Sequence, residues 1–273
     1  MNNHDCINFL QWCLPKLHYE WKGFRKVRRQ VCRRIKNRIK ELNLSGIHEY
    51  KRLLEEHDEE WRILDSLCYI SISWFYRDKK VFQVIESILL PFLARQALVE
   101  NRSEVNCWCV GCCSGEEPFT LQLIWKLSVY PLLRQQISFN IIATERNQIL
   151  LNRAQKGIYS FMSLKELPTK IFTEGFIKVN DEYMLKDEFR ENVDLKYQDI
   201  RLKVPSGRFD LIMCRNLVFT YFEKQLQQEI LKKIIDKLRP KGFIVIGSHE
   251  MLPEKIEALS NYKNIEGIYQ KVP

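Results

Sequence analysis

Beyond residue 104 the chain alternates short apolar runs with amphipathic stretches, and this alternation limits the fold more than any other feature. Runs at 105–110, 137–144, 209–214 and 243–247 predict strands, while 117–127, 148–155 and 223–238 predict helices. Strands separated by helices pair in parallel and are covered on both faces, so an α/β, doubly wound sheet is expected. Residues 175–198 are charged and loosely alternating, with Tyr183 and Leu185, then Val193, Leu195 and Tyr197. They predict a small antiparallel insert followed by a further strand, and 264–272 predicts a closing hairpin strand.

The first quarter of the chain has a different pattern. Phe24, Val27, Val31, Ile35, Ile39 and Leu42 recur at steps of three and four, which predicts one helix over 21–42 with an apolar stripe. Its other faces carry Lys22, Arg25, Lys26, Arg28, Arg29, Arg33, Arg34, Lys36, Arg38 and Lys40, with no acid before Glu41. Further helices are expected over 47–56 and, capped by Asp58, to about Cys68. The expected division is an all-α basic domain over 1–68 and an α/β domain over 69–273. Glu55, Glu56, Asp58, Glu59 and Glu60 crowd a helix start, where the macrodipole favours negative charge, and need no functional explanation. Asp78 is expected to cap a helix running up to Pro91.

The formal charge of +9 favours an acidic partner without naming one. No run reaches the roughly 18 apolar residues of a membrane helix, because Glu86, Arg95 and Lys126 interrupt the candidates. The start, Met1-Asn2-Asn3-His4-Asp5, lacks a secretory pattern, so a cytoplasmic protein is expected. Cys68, Cys107, Cys109 and Cys214 sit in apolar stretches as free thiols, which suits a reducing compartment. Cys107, Cys109, Cys112 and Cys113 have no second Cys/His pair at suitable spacing, so no metal site is expected.

The segment Trp108-Cys109-Val110-Gly111-Cys112-Cys113-Ser114-Gly115-Glu116-Glu117-Pro118-Phe119-Thr120 takes a strand through a glycine turn into a helix. Pro118 stands early in that helix, where its missing N–H costs nothing. Two acids at the helix start do not suit a pyrophosphate, so this is not a dinucleotide fingerprint. A cationic, amine-bearing ligand fits the acidic rim better.

This turn resembles that of the CheR family of chemotaxis-receptor methyltransferases, and four further segments match in order. Ser71-Ile72-Ser73-Trp74-Phe75-Tyr76-Arg77-Asp78 is similar to the family's N-x-T-x-F-F-R-D, and Ala143-Thr144-Glu145 to its A-T-D. Phe209-Asp210-Leu211-Ile212-Met213-Cys214-Arg215-Asn216-Leu217 resembles F-D-x-I-x-C-R-N-V, and the stretch from Arg239 to Glu250 resembles the last motif. Asp199, followed by Ile200, stands where the family has asparagine, and Tyr221 is displaced by one residue from the family tyrosine, with Thr220 beside it.

The resemblance implies a Rossmann-like methyltransferase sheet that binds S-adenosyl-L-methionine. It assigns cofactor contacts to Ser71, Ser73, Arg77, Gly111, Gly115, Glu116, Glu145, Asp199, Ile200, Arg215, Asn216 and Leu217. Arg77 and Tyr221 would border the transferred methyl group as the catalytic pair. The expected acceptor is a glutamate side chain of an acidic protein held by the basic helix from Lys22 to Lys40. A carboxylate, ionised near neutral pH, needs no general base to attack a sulfonium methyl. His249 is read as a bystander. A nucleic-acid acceptor is suggested by Trp21 and Phe24 among the cations, but no N-P-P-Y-type site or RNA-binding module is present. A small-molecule acceptor and a silent cofactor-binding protein remain as alternatives.

Overall fold

The structure, a computed structural model, describes residues 3–272, so Met1 and Asn2, where the secretory pattern was sought, lie outside the described residues. Two compact units form. The first comprises residues 1–71 with Leu217–Gln227, and the second residues 72–216 with 228–273.

In the first unit, helices α1 (Asn3–Cys13), α2 (Trp21–Phe24), α3 (Arg28–Glu41), α4 (Ile47–Glu56) and α5 (Asp58–Cys68) enclose a core. The expected single basic helix is interrupted by a turn at 25–27, so its stripe is delivered by two pieces: Phe24 from α2, then Val31, Ile35 and Ile39 from α3. Asp58 is the first residue of α5 rather than its cap, and no side chain caps that helix. One acid of the cluster has gone inward. Glu60 is 6% exposed and accepts from Arg38 (Nε to Oε1 3.0 Å, Nη2 to Oε2 2.8 Å) and from the Tyr50 hydroxyl at 2.8 Å. Burial pushes its pKa up, but these bonds outweigh burial and hold the carboxyl below its usual range. Arg34 likewise turns inward to the carbonyls of Leu67 and Tyr69. Two of the ten cations of the basic segment are therefore structural, whereas Lys22, Arg25, Lys26, Arg29, Arg33, Lys36 and Lys40 are exposed.

The unit also takes in Leu217–Gln227, which the expected boundary at 68/69 leaves in the second domain. Main-chain bonds explain why: Glu20 N–H donates to the Tyr221 carbonyl (2.8 Å) and Glu223 N–H to the His18 carbonyl (2.9 Å), around a Tyr19–Phe222 bridge. Cys68, Cys107, Cys109 and Cys214 are buried thiols, as expected; Cys6 and Cys32 depart from the thiol pattern in a disulfide joining α1 to α3.

The second unit is built on a seven-stranded sheet. Its strands are β1 (Glu104–Val110), β2 (Ser138–Glu145), β6 (Val193–Tyr197), β7 (Phe209–Met213), β8 (Leu238–Val245), β9 (Leu259–Asn261) and β10 (Ile268–Lys271), in the order β6-β2-β1-β7-β8-β10-β9. The first five pair in parallel, and β10 closes antiparallel on β8 and β9. The doubly wound expectation is met, with the chain reversing its direction of travel across the sheet between β1 and β7. The insert begins earlier than 175. Ile158–Tyr159 (β3) pairs with Glu182–Leu185 (β5), which pairs with Phe176–Val179 (β4), while β6 belongs to the main sheet. Two residues are too few to show a strand's alternation, which is why β3 escapes a sequence reading.

The helix after Asp78 does not stop at Pro91. It runs over Lys79–Val99, because a π turn over Ile85–Leu89, closed by the Leu90 N–H on the Ile85 carbonyl, widens the helix just before the proline ring. This helix is long and apolar enough to cross a membrane by length and composition alone. Its Ile85, Leu89, Leu93 and Ala97 are buried in one core with Val105 and Cys107 of β1. Each buried isoleucine or leucine among them contributes about 1.5–3 kcal/mol, and the helix is a wall of the sheet's core.

Candidate active site

Open parallel sheets bind ligands beyond the carboxyl ends of their strands, at the point where strand order reverses. Most of the residues singled out by the sequence stand there. Gly111, Gly115 and Glu116 follow β1, Glu145 ends β2, Asp199 and Ile200 follow β6, and Arg215 and Asn216 follow β7. The register fixes the neighbourhood: Val110 is opposite Thr144, and the N–H groups of Gly111 and Cys112 both donate to the Thr144 carbonyl (2.8 and 3.0 Å).

The loop from Gly111 to Gly115 is compressed. Gly111, Cys113 and Gly115 all have positive φ (69°, 49° and 87°), and a side-chain carbon at Gly115 would overlap the Phe119 ring. Glycine is required at Gly115 on both counts. The Tyr159 hydroxyl donates to the Ser114 carbonyl at 2.7 Å and pins the loop from below, a role that the sequence did not disclose. Cys112 is buried at this turn, with its thiol pKa pushed up by burial, so it is a packing residue.

Two carboxylates face this loop. Glu145, 1% exposed, accepts from the N–H of Cys113 (Oε2, 3.0 Å) and of Asn147 (Oε1, 2.7 Å). Glu116, 4% exposed in the first turn of a helix over Glu116–Ile124, accepts from the Ser114 N–H (3.1 Å) and the Ser73 hydroxyl. Burial raises its pKa against those bonds and the pull of Arg153. Carboxylates offer acceptors only, so the pair suits a ligand with a cationic end and vicinal hydroxyls. S-adenosyl-L-methionine has both, and the residues present fit it.

Arg215 departs from the expected use. Its guanidinium is buried and donates to Asp78 (2.5 Å), Glu117 (2.9 Å) and the Arg77 carbonyl (3.0 Å), over the Phe82 ring. Both terminal nitrogens are thus committed within the protein. Asp78 accordingly does not cap the helix that follows it; its side chain is drawn to Arg215. Burial raises the pKa of Glu117, and Arg215 opposes the rise. Asp199 is also engaged: Arg201 donates to its carboxylate through Nε (3.1 and 3.0 Å) and Nη2 (2.6 Å), and Arg146 lies 3.8 Å away. Ile200 is buried beside it.

Arg77 is half-buried, stacked on Trp74 at 4.8 Å, with Nη1 donating to the Ile72 carbonyl (2.6 Å). Ser71, Leu217 and Tyr221 belong to the first unit, where the Tyr221 ring meets Phe24 edge-on at 5.2 Å. Glu250, quoted in the sequence only as the end of a motif, is buried and accepts from the N–H groups of Asn216 and Gly247.

Comparison with known proteins agrees with this geometry. Residues 72–268 match the family model described as CheR methyltransferase, SAM binding domain. The chain is similar to the chemotaxis protein methyltransferase of Listeria innocua (30% identity over 187 residues, 68% of each chain). It is also similar to those of Borreliella burgdorferi (28% identity, 80% of this chain and 78% of the relative) and Escherichia coli K12 (27%, 82% and 76%). With five ordered motifs, a switch-point site and a family match over most of its length, the chain belongs to the CheR family of S-adenosylmethionine-dependent methyltransferases.

Proposed function

We propose that the chain is a cytoplasmic protein carboxyl methyltransferase whose acceptor is a glutamate side chain on an acidic helical partner. The observation that carries this reading is the surface of the basic segment. Seven cations point outward along α2, the turn and α3, while Phe24, one of the two aromatics that favoured nucleic acid, is buried in the first unit's core. Burial of Phe24 removes one of the two candidate stacking aromatics and leaves Trp21 half-buried, which leans the cationic face toward carboxylates. The names of the relatives, which are chemotaxis protein methyltransferases, support a protein acceptor.

Within the site, Glu116 and Glu145 hold the cofactor through their acceptor oxygens, and Ser73, Gly111, Gly115 and Asn216 shape its bed. Bound there, the cofactor supplies a methyl group on a sulfonium that is already an excellent leaving group. The protein's task is then alignment and exclusion of water rather than proton transfer. Arg77 steers the incoming carboxylate in this reading, supported by its hold on Trp74 and the Ile72 carbonyl. For Tyr221, on the other unit, the family resemblance alone supports a catalytic part.

The test of the acceptor uses purified protein, radiolabelled S-adenosylmethionine and a cell lysate. Label on protein that mild alkali releases is the expected result, since a glutamate methyl ester is base-labile. Label on nucleic acid or metabolite would overturn the reading.

Cofactor affinity should also follow pH. The pKa of Glu116 is raised by burial, so its charge is lost above the usual carboxylate range as pH falls. The sign differs for ligand and fold: acid weakens cofactor binding, whereas the unliganded fold gains stability from the neutral form. Calorimetric titration from pH 8 downward should show the affinity falling, and Glu116→Gln should flatten the profile at an affinity about 30-fold lower at pH 8. A pH-independent wild-type affinity would count against Glu116 as a ligand.

A further inference from the structure

Strands β7 and β8 lie side by side, with Met213 opposite Val245 and the Cys214 N–H bonded to the Val245 carbonyl at 2.9 Å. Past that point the two chains diverge into separate turns, and something must hold their ends together. Asn216 turns in the left-handed region at φ 54°. Its N–H donates to Glu250 Oε2 at 2.9 Å, and the Gly247 N–H donates to the same oxygen at 2.6 Å. The Glu250 N–H returns to the Gly247 carbonyl at 2.9 Å, closing the turn after β8. Glu250 is 8% exposed, and one of its oxygens thus ties both strand ends together.

The space around Gly247 shows how close the approach is. A side-chain carbon there would lie 2.8 Å from that Glu250 oxygen and 2.9 Å from Asn216 Oδ1. The Glu250 carboxylate and the Asn216 side chain therefore both crowd the Gly247 α-carbon and leave no room for a side chain there. Asparagine tolerates this left-handed conformation, and the bond from its N–H to Glu250 fixes it there.

We propose that Glu250 is a positioning residue that presents Asn216 to the cofactor by clamping the ends of β7 and β8. The inference rests on the reading of Asn216 as a cofactor ligand and adds to it the group that sets Asn216. Glu250 touches no reacting atom; it acts through the main chain of its neighbours. Its carbonyl-type oxygen, not its charge, is what the two N–H groups require, so glutamine should substitute and alanine should not.

The test is calorimetric titration of S-adenosylhomocysteine onto variants, with turnover measured alongside. Glu250→Ala should weaken binding about 10- to 30-fold and raise the KM for the cofactor equally, with kcat at saturation within about twofold. Glu250→Gln should stay within about threefold of the parent. Asn216→Ala should weaken binding as well, and adding Glu250→Ala to it should cost nothing more, because both changes remove one device. If Asn216→Ala binds normally, the reading of Asn216 fails and the inference with it. If Asn216→Ala weakens binding but the double variant loses the sum of both effects, Asn216 stands and the clamp is refuted. Should Glu250→Ala not fold, Glu250→Asp replaces it, since its shorter arm draws the shared oxygen back from the two N–H groups.

Discussion

Arg77→Ala is expected to lower kcat by about 100- to 1000-fold while the dissociation constant for S-adenosylmethionine rises less than about tenfold. The expectation follows from what the guanidinium does in the protein. It rests on Trp74 at 4.8 Å and spends one donor on the Ile72 carbonyl, so its direction is fixed before any substrate arrives. The carboxylates that suit the cofactor, Glu116 and Glu145, are held by other partners, namely Ser73 and Ser114 for one, Cys113 and Asn147 for the other. Removing Arg77 therefore leaves their main supports in place. On the proposed reading, a preorganised cation aimed at a carboxylate nucleophile acts on alignment in the transition state, which appears in kcat. Arg77→Lys should recover only part of the rate, because a point charge on a flexible stem lacks the planar stacking on Trp74. Stopped-flow turnover with saturating acceptor and calorimetry with the cofactor separate the two constants. An equal fall in both would make Arg77 a binding residue, and an unchanged kcat would end the assignment.

Arg215→Met should destabilise the second unit by about 3–5 kcal/mol, the usual cost of removing one member of a buried ion cluster. Asp78 and Glu117 would be left facing each other across the gap, at 2.5 and 2.9 Å from atoms no longer present. In a chain of this size the melting temperature should fall by roughly 10 °C. Glu117 already has a raised pKa and would take up a proton once Arg215 is gone, so the deficit should be smaller at pH 5 than at pH 8. Adding Asp78→Asn and Glu117→Gln should restore part of the loss, since the orphaned charges are its main source. A melting temperature within about 2 °C of the parent would show that the cluster is not coupled to stability.

Much of this fold is legible in the sequence, and for a definite reason. Parallel strands and their helices are local: β1, its glycine turn and the helix at Glu116 are consecutive, so their pattern is written in one stretch. Gly111, Glu145, Asp199 and Asn216 stand out in the sequence for the same reason, since each lies at or just beyond the end of a strand. What escapes is what depends on distant partners. Asp78 has the residue type and place of a helix cap, yet Arg215, 137 residues away, takes its carboxylate. Arg34 and Arg38 look like their exposed neighbours until Tyr69 and Glu60 draw them inward. The proline at Pro91 promises a helix end, and a widened turn beside it removes the clash. Glu250 carries no local signal beyond standing after a strand; its use depends on two main chains meeting.

The pairing of residues 18–20 with 221–223 has a consequence for biosynthesis. A ribosome releases the amino-terminal helices long before it has made the segment that completes them. At cellular elongation rates that interval is roughly ten to forty seconds, during which Tyr19 and Phe24 lack Tyr221 and Phe222 as neighbours. The basic unit is finished only after the segment around residue 221, roughly two hundred residues later, has been translated.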